Sequence, residues 1–351
     1  MLDPDQRMYG EMRENGVGSA TSPRMLVGAT LEIVSWIGRH PFRVLFSLML
    51  GFVCVSGIWL RMWGVMQFHA IDQIEKNGGG VHVLPSRVSE ACQRIFGVDT
   101  DQAFGTPFGI YAGTPQIADD NLTIEWFRSI QELHLNHTSI TVRTIRRLGG
   151  LTQLRVLNLG ATQIGPGDLC DLPPMPVLSQ LILSKTSIGD EDAQRLSGIP
   201  TLKEIFLEST NVGDRGLVAL TTLPQLVFLD LEATRITDEG MKSIPKLVSL
   251  EGLRVAKTRL TDVSMESCAL LPRLQFLDVG ETAITDRGVA ALCASSALRH
   301  LSLKGAAVGD SCVDALCRSG ILETLDIRGT QISVHGKQRL KQSMKASVVA
   351  D

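Results

Sequence analysis

Between residues 106 and 346 the apolar positions fall into one frame that returns every 24 residues. One copy places Leu226, Leu229, Leu231 and Ile236 around Thr234. The copy before it reads Leu202, Ile205, Leu207 and Val212 around Thr210, and a later one reads Leu274, Leu277, Val279 and Ile284 around Thr282. Within the frame, Leu229-x-Leu231 has the period of two of a strand with one buried face. The aliphatic two residues after the threonine turns back inward. A further apolar position at Leu196, Leu220, Ile244, Leu292 and Leu316 fits a short helix. Each copy therefore predicts a strand, a turn and a short helix, with an apolar side that only its neighbours can cover. Such units must stack. Strands pack more closely than helices, so the stack bends with a parallel sheet on its concave face and the helices on its convex face.

Threonine occupies positions 138, 162, 186, 210, 234, 258, 282 and 330, with Ala306 in the remaining place. It stands where the chain leaves the strand, and its hydroxyl is placed to bond backbone groups of the adjacent turn. The layer at Ala306 lacks that hydroxyl and is expected to be weaker. Four residues after the threonine position come Asp190, Asp214, Asp238, Asp262, Asp286 and Asp310, each expected to cap its own short helix.

This frame resembles the leucine-rich-repeat family, whose pattern is LxxLxLxxN/CxL, with threonine here at the usual asparagine or cysteine position. The T-x-I-T-D-x-G run at Thr234–Gly240 looks like bacterial members. The resemblance implies an α/β solenoid over 106–346 that acts as a protein-interaction scaffold. Ile110, Ala112, Ile117 and Asp119 fit a degenerate first coil one residue shorter in its spacing, whose core Leu122, Trp126 and Phe127 would close. Val334–Lys345 predicts a terminal helix with Lys337, Arg339, Lys341 and Lys345 in solvent, and 347–351 a short tail.

Ahead of the repeats the pattern changes. Val44–Leu60 carries no charge, Arg43 and Arg61 bracket it, and Trp59 and Trp63 lie at one edge. Residues 43–66 therefore predict a transmembrane helix, long enough for a hydrocarbon core of about 30 Å. The preceding 42 residues and the lack of a cleavage site argue for an uncleaved signal-anchor. Arg24, Arg39 and Arg43 on one side against Arg61 and Lys76 on the other favour a cytoplasmic N-terminus and an extracytoplasmic repeat domain. The tail, 1–42, includes an apolar stretch over 25–38 expected to lie along the membrane as an interfacial helix or to pair with the next segment as a hairpin. Over 67–105 runs a juxtamembrane connector: Ala70–Asn77 reads as a helix stopped by Gly78, Val81–Leu84 as a strand, and 85–105 as a link of unassigned fold. The anchor followed by AIDQIEKNGGGV (Ala70–Val81) is similar to membrane-anchored repeat proteins of planctomycete-type bacteria.

Composition supports this picture. Aromatics at 5% suit layers of aliphatic side chains rather than one large aromatic core. A formal net charge of −3 without a basic run argues against nucleic acid as partner. The seven cysteines show no CxxC and no paired spacing, so they are expected as small buried hydrophobes rather than as bridges or metal ligands.

Function should sit on the outward positions of the concave strands. Phe206, Phe228 and Phe276 fall there, with Ile182 beside Phe206, with Glu204, Glu208, Asp230 and Glu232 around them and Arg254 beside. An apolar group rimmed by charge is the pattern of a partner site. The set His300, Ser302, Asp278 and Asp326 has the composition of a hydrolase triad, but residues two apart on a strand lie about 6.6 Å apart and a flat sheet supplies no oxyanion hole. His134 and His137 lack a further ligand at metal-site spacing. No catalytic site, metal or cofactor is therefore expected. The reading is a membrane-anchored, non-catalytic module that binds a protein or an envelope polymer and contacts the bilayer through its N-terminal helix. A structural scaffold assembling laterally with other membrane proteins and an effector-like repeat protein are the alternatives.

Overall fold

A computed structural model describes residues 66–67, 69–84, 106–344 and 347–350. The tail with its expected helix over 25–38, the expected membrane helix except its last residue, and the link over 85–105 lie outside the described residues. Among the described residues no helix is long and apolar enough to cross a membrane.

The coils carry one continuous sheet whose strands follow chain order. They are β1 (Gly80–Leu84), β2 (Thr106–Tyr111), β3 (Glu132–His134), β4 (Val156–Asn158), β5 (Gln180–Ile182), β6 (Glu204–Phe206), β7 (Phe228–Asp230), β8 (Gly252–Arg254), β9 (Phe276–Asp278), β10 (His300–Ser302), β11 (Thr324–Asp326) and β12 (Ser347–Val349). All neighbours pair parallel except β1, which is antiparallel to β2. The register is uniform: Leu181, Ile205, Leu229, Leu253 and Leu277 lie opposite one another and are fully buried. Short α- or 3-10 helices cover the other side of this core, as at Asp214–Leu220 and Asp286–Leu292.

Each threonine of the column donates its hydroxyl to the carbonyl three residues earlier, at 2.5–2.8 Å. The residue just before it adopts a left-handed conformation in coil after coil, from His137 (φ 59°) to Glu281 (φ 54°), and glycine takes this place only at Gly305 and Gly329. The hydroxyl bond therefore fixes a sharp corner that non-glycine residues otherwise resist. At Ala306 the corner keeps only the backbone bond from its amide to Leu303, at 2.9 Å.

The aspartates act differently from expectation. Asp214, Asp238 and Asp262 are the first residues of their helices, and their carboxylates bond the next coil: Asp214 takes the amide and hydroxyl of Thr237, Asp238 those of Thr261, and Asp262 those of Thr285. Thr237, Thr261 and Thr285 are the N-caps there, and each also accepts a bond from its own helix. The cap is thus passed from coil to coil, because one coil's advance brings the carboxylate beside the following helix start rather than its own. Pro166 breaks the rule. Its coil ends in a 3-10 helix, Asp168–Asp171, and the fully buried Asp192 of the next coil reaches back to the amides of Gly167 and Leu169 while also holding that of Gly189.

The ends are closed from both sides. A helix over residues 69–76 buries Ala70, Ile71 and Ile74, and Gly78 (φ +84°) stops it before β1. With Leu122 and Phe127, both buried, these residues cover the first coil. At the far end the helix Val334–Ser343 buries Leu340. Residues expected as a tail contribute β12, whose Val348 packs on the core.

Candidate functional site

On each three-residue strand the middle side chain enters the core, so the two flanking ones form parallel columns on the concave surface. One column reads Glu204, Phe228, Gly252, Phe276 and His300; the next reads Ile182, Phe206, Asp230, Arg254, Asp278 and Ser302. Phe206 on β6 and Phe228 on β7 are diagonal neighbours with ring centroids 5.2 Å apart. Phe228 and Phe276 belong to strands two apart, yet their centroids are only 6.3 Å apart. Gly252 makes that possible: a Cβ there would lie 2.4 Å from Cδ2 of Phe228, so the ring leans across the bare strand between. The three rings, half-buried and tilted by 32° and 33°, form one apolar floor.

The charges around the floor are organised. Arg254 reaches Asp230 at 2.8 Å and Asp278 at 3.8 Å, and its guanidinium carbon lies 5.8 Å from the Phe276 ring centre. Asp230 is buried; desolvation pushes its carboxyl up against the opposing pull of the Glu232 amide and Arg254. Glu232 pairs with Lys257 at 2.7 Å and Glu208 with Lys185 at 3.5 Å. The structure thus brings Ile182, Phe206, Phe228, Asp230, Arg254 and Phe276 together on the sheet. Glu208 and Glu232 lie one step further along the chain, in ion pairs at the strand exits.

Sequence reasoning weighed His300 only as part of a triad and left Gly252 and Glu251 out of the site; all three line the same shallow groove. A lone glycine in a strand column is the available signal for a close approach. A second ring stack at the other end of the face was also missed: Tyr111 lies between His82 and His134, 4.6 Å from each centroid, with its hydroxyl bonded to Glu132. That bond, with burial, raises the Tyr111 pKa to about 12.

The triad composition does not assemble. His300 Nδ1 lies 2.9 Å from Thr324 Oγ1 on the neighbouring strand, which turns the imidazole to that hydroxyl. Among the described residues no group of three or more His, Cys, Asp or Glu side chains is gathered as for a metal ion.

Residues 272–293, which span β9 and the helix after it, match a family model described as "Leucine Rich repeat". No curated protein matches the chain. Among solved structures, an internalin from Listeria monocytogenes is similar, with 17% sequence identity, 77% of this chain and 96% of that one covered, and a TM-score of 0.43. That likeness is too distant to bear on partners.

Proposed function

We propose that this chain, a leucine-rich-repeat protein by its 24-residue coils and by the match at residues 272–293, is a non-catalytic module that binds a protein partner on its concave sheet, anchored in a membrane by residues 43–66. Proteins of this family generally act in protein binding. The observation that carries the reading is the joined floor of Phe206, Phe228 and Phe276 on a surface whose other outward positions are mainly polar. Apolar rings on an open sheet gain little from the fold alone, while a partner that covers them removes them from water at roughly 25 cal/mol per Å². The extracytoplasmic placement of the repeats rests on the arginine balance around residues 43–66.

The test is site-specific photo-crosslinking in intact cells. A photoreactive residue at position 228 should give a discrete adduct that is absent at Leu270 on the convex side and lost with Phe276→Ala. Equal labelling at 228 and 270 overturns the concave site, and an adduct consisting of a second copy of this chain selects lateral assembly instead. Protease digestion of a C-terminal tag in spheroplasts tests the orientation: protection until permeabilisation would place the repeats in the cytoplasm.

A further inference from the structure

The charges at the edge of the aromatic floor do not balance locally. Three cations bordering it are engaged: Arg254 by Asp230 and Asp278, Lys257 by Glu232, and Arg299 by Glu323 at 2.8 Å. Lys203, on the same strand edge, is separated from Glu251 by Val227, as the amide chain from Glu251 to Val227 to Lys203 records. Two carboxylates of the groove are in no ion pair among the described residues. Glu204 receives only the amide of Gln180, at 2.6 Å, and Glu251 follows the strand edge beside Gly252. The groove therefore offers ring faces with negative quadrupoles next to carboxylates whose charge is not countered. A carboxylate brought onto this floor would meet like charge and lose water without recompense. A cation would gain an ion pair and a ring face together.

We infer that the occupant of the groove is a protein segment in which a lysine or arginine is flanked by apolar residues, its aliphatic stem lying on Phe228 and Phe276 and its cation meeting Glu204 and Glu251. Arg254 already shows this mode within the molecule: it lies over Phe276 while its charge is held by two aspartates. The partner's side chain would repeat that arrangement on the other flank of the same ring row. The long stem of such a residue suits a floor that is apolar in the middle and charged at its border. This inference rests on the concave face being the binding face.

The experiment uses the full chain in nanodiscs of zwitterionic lipid, with empty nanodiscs as reference. Two short amidated peptides serve as probes, one of repeating Gly-Leu-Lys and one of repeating Gly-Leu-Glu, followed by fluorescence anisotropy. The lysine peptide is expected to bind and the glutamate peptide not to bind. Phe228→Ala, and separately Glu204→Gln with Glu251→Gln, should each weaken the lysine peptide by roughly tenfold, while Leu270→Ser leaves it unchanged. Thermal melts of the variants identify any that fail to fold, and the glutamine pair, at half-buried positions, keeps the test valid if Phe228→Ala does. Equal binding of both peptides with loss on Phe228→Ala overturns the cationic partner and leaves the apolar binding face standing. Lysine-peptide binding indifferent to these substitutions, or no binding of either peptide, overturns the inference; the adduct at position 228 then decides the binding face by itself.

Discussion

Asp238 accepts two hydrogen bonds from Thr261, one from the backbone amide to Oδ1 at 3.0 Å and one from the hydroxyl to Oδ2 at 2.7 Å. Thr261 is the N-cap of the helix Asp262–Ala269, so a helix start in one coil is held by the coil before it. The Ser264 hydroxyl bonds the same carboxylate. Burial pushes this carboxyl up, but the bonds from Ser264 and Thr261 outweigh it and hold the pKa below the ordinary aspartate value.

Asp238→Ala should therefore destabilise the fold by about 1–2 kcal/mol at neutral pH, the lower part of the range for charged hydrogen bonds because the carboxylate is only half-buried. A carboxyl whose pKa is lowered on folding contributes above its unfolded value and loses that contribution as pH falls through its folded value. Denaturation of the variant should accordingly depend less on pH below about pH 4 than that of the parent chain. Parallel acid dependence of the two would contradict the role given to the carboxylate.

Gly240 leaves room for the preceding aspartate: a Cβ there would lie 2.5 Å from Asp214 Oδ1. Gly240→Ala is expected to cost about 1–3 kcal/mol by overpacking. In an Asp214→Ala background the penalty should shrink, giving a coupling measurable by urea denaturation of the four members of the cycle. Strict additivity would mean that the two groups do not press on each other.

Asp192→Ala removes the acceptor for the amides of Gly167, Leu169 and Gly189 at a site closed to water. Three amides lose a charged partner, so a loss of about 3 kcal/mol or more is expected. Hydrogen exchange should report it locally, with lost protection at residues 167 and 169 before the neighbouring strands. Uniform loss across the solenoid would point to a global effect instead.

Ala306→Thr should restore the hydroxyl bond found throughout the rest of the column, here to the Leu303 carbonyl. A gain of about 0.5–1.5 kcal/mol is expected, read from the midpoint of chemical denaturation. Destabilisation would show that this corner has lost the space for the side chain.

The 24-residue spacing made the strands, their register and the threonine corners legible, because each depends on residues of a single coil. Direction across coils was not. A carboxylate four places after Thr234 is equally consistent with capping its own helix or the next, and only the advance of one coil on another selects Thr261 over the local amides. The helix over 69–76 and strand β1 were readable individually, but their antiparallel docking on β2 joins segments across a link with no periodic signal. At the candidate site, the columns placed Phe206, Phe228 and Phe276 on one face. The leaning of Phe228 across Gly252 and the burial of Asp230 under Arg254 depend on side-chain volumes that a period cannot express.

The forward reach of the aspartates sets how such a chain can change length. From Asp190 to Ser333 every junction joins the same kind of acceptor to the same kind of donor, so a stretch of 24 residues duplicated or excised within that span leaves equivalent partners at the new seam. The coil around Thr162 does not share this freedom. Val142 stands where the coil before it would carry the aspartate, so Gly165 is held by Asp168 of its own coil; Pro166 removes the next aspartate, and Asp192 of the following coil holds Gly189 and reaches back to Gly167 and Leu169. Those two coils are inherited or lost together, while their neighbours can be copied one at a time.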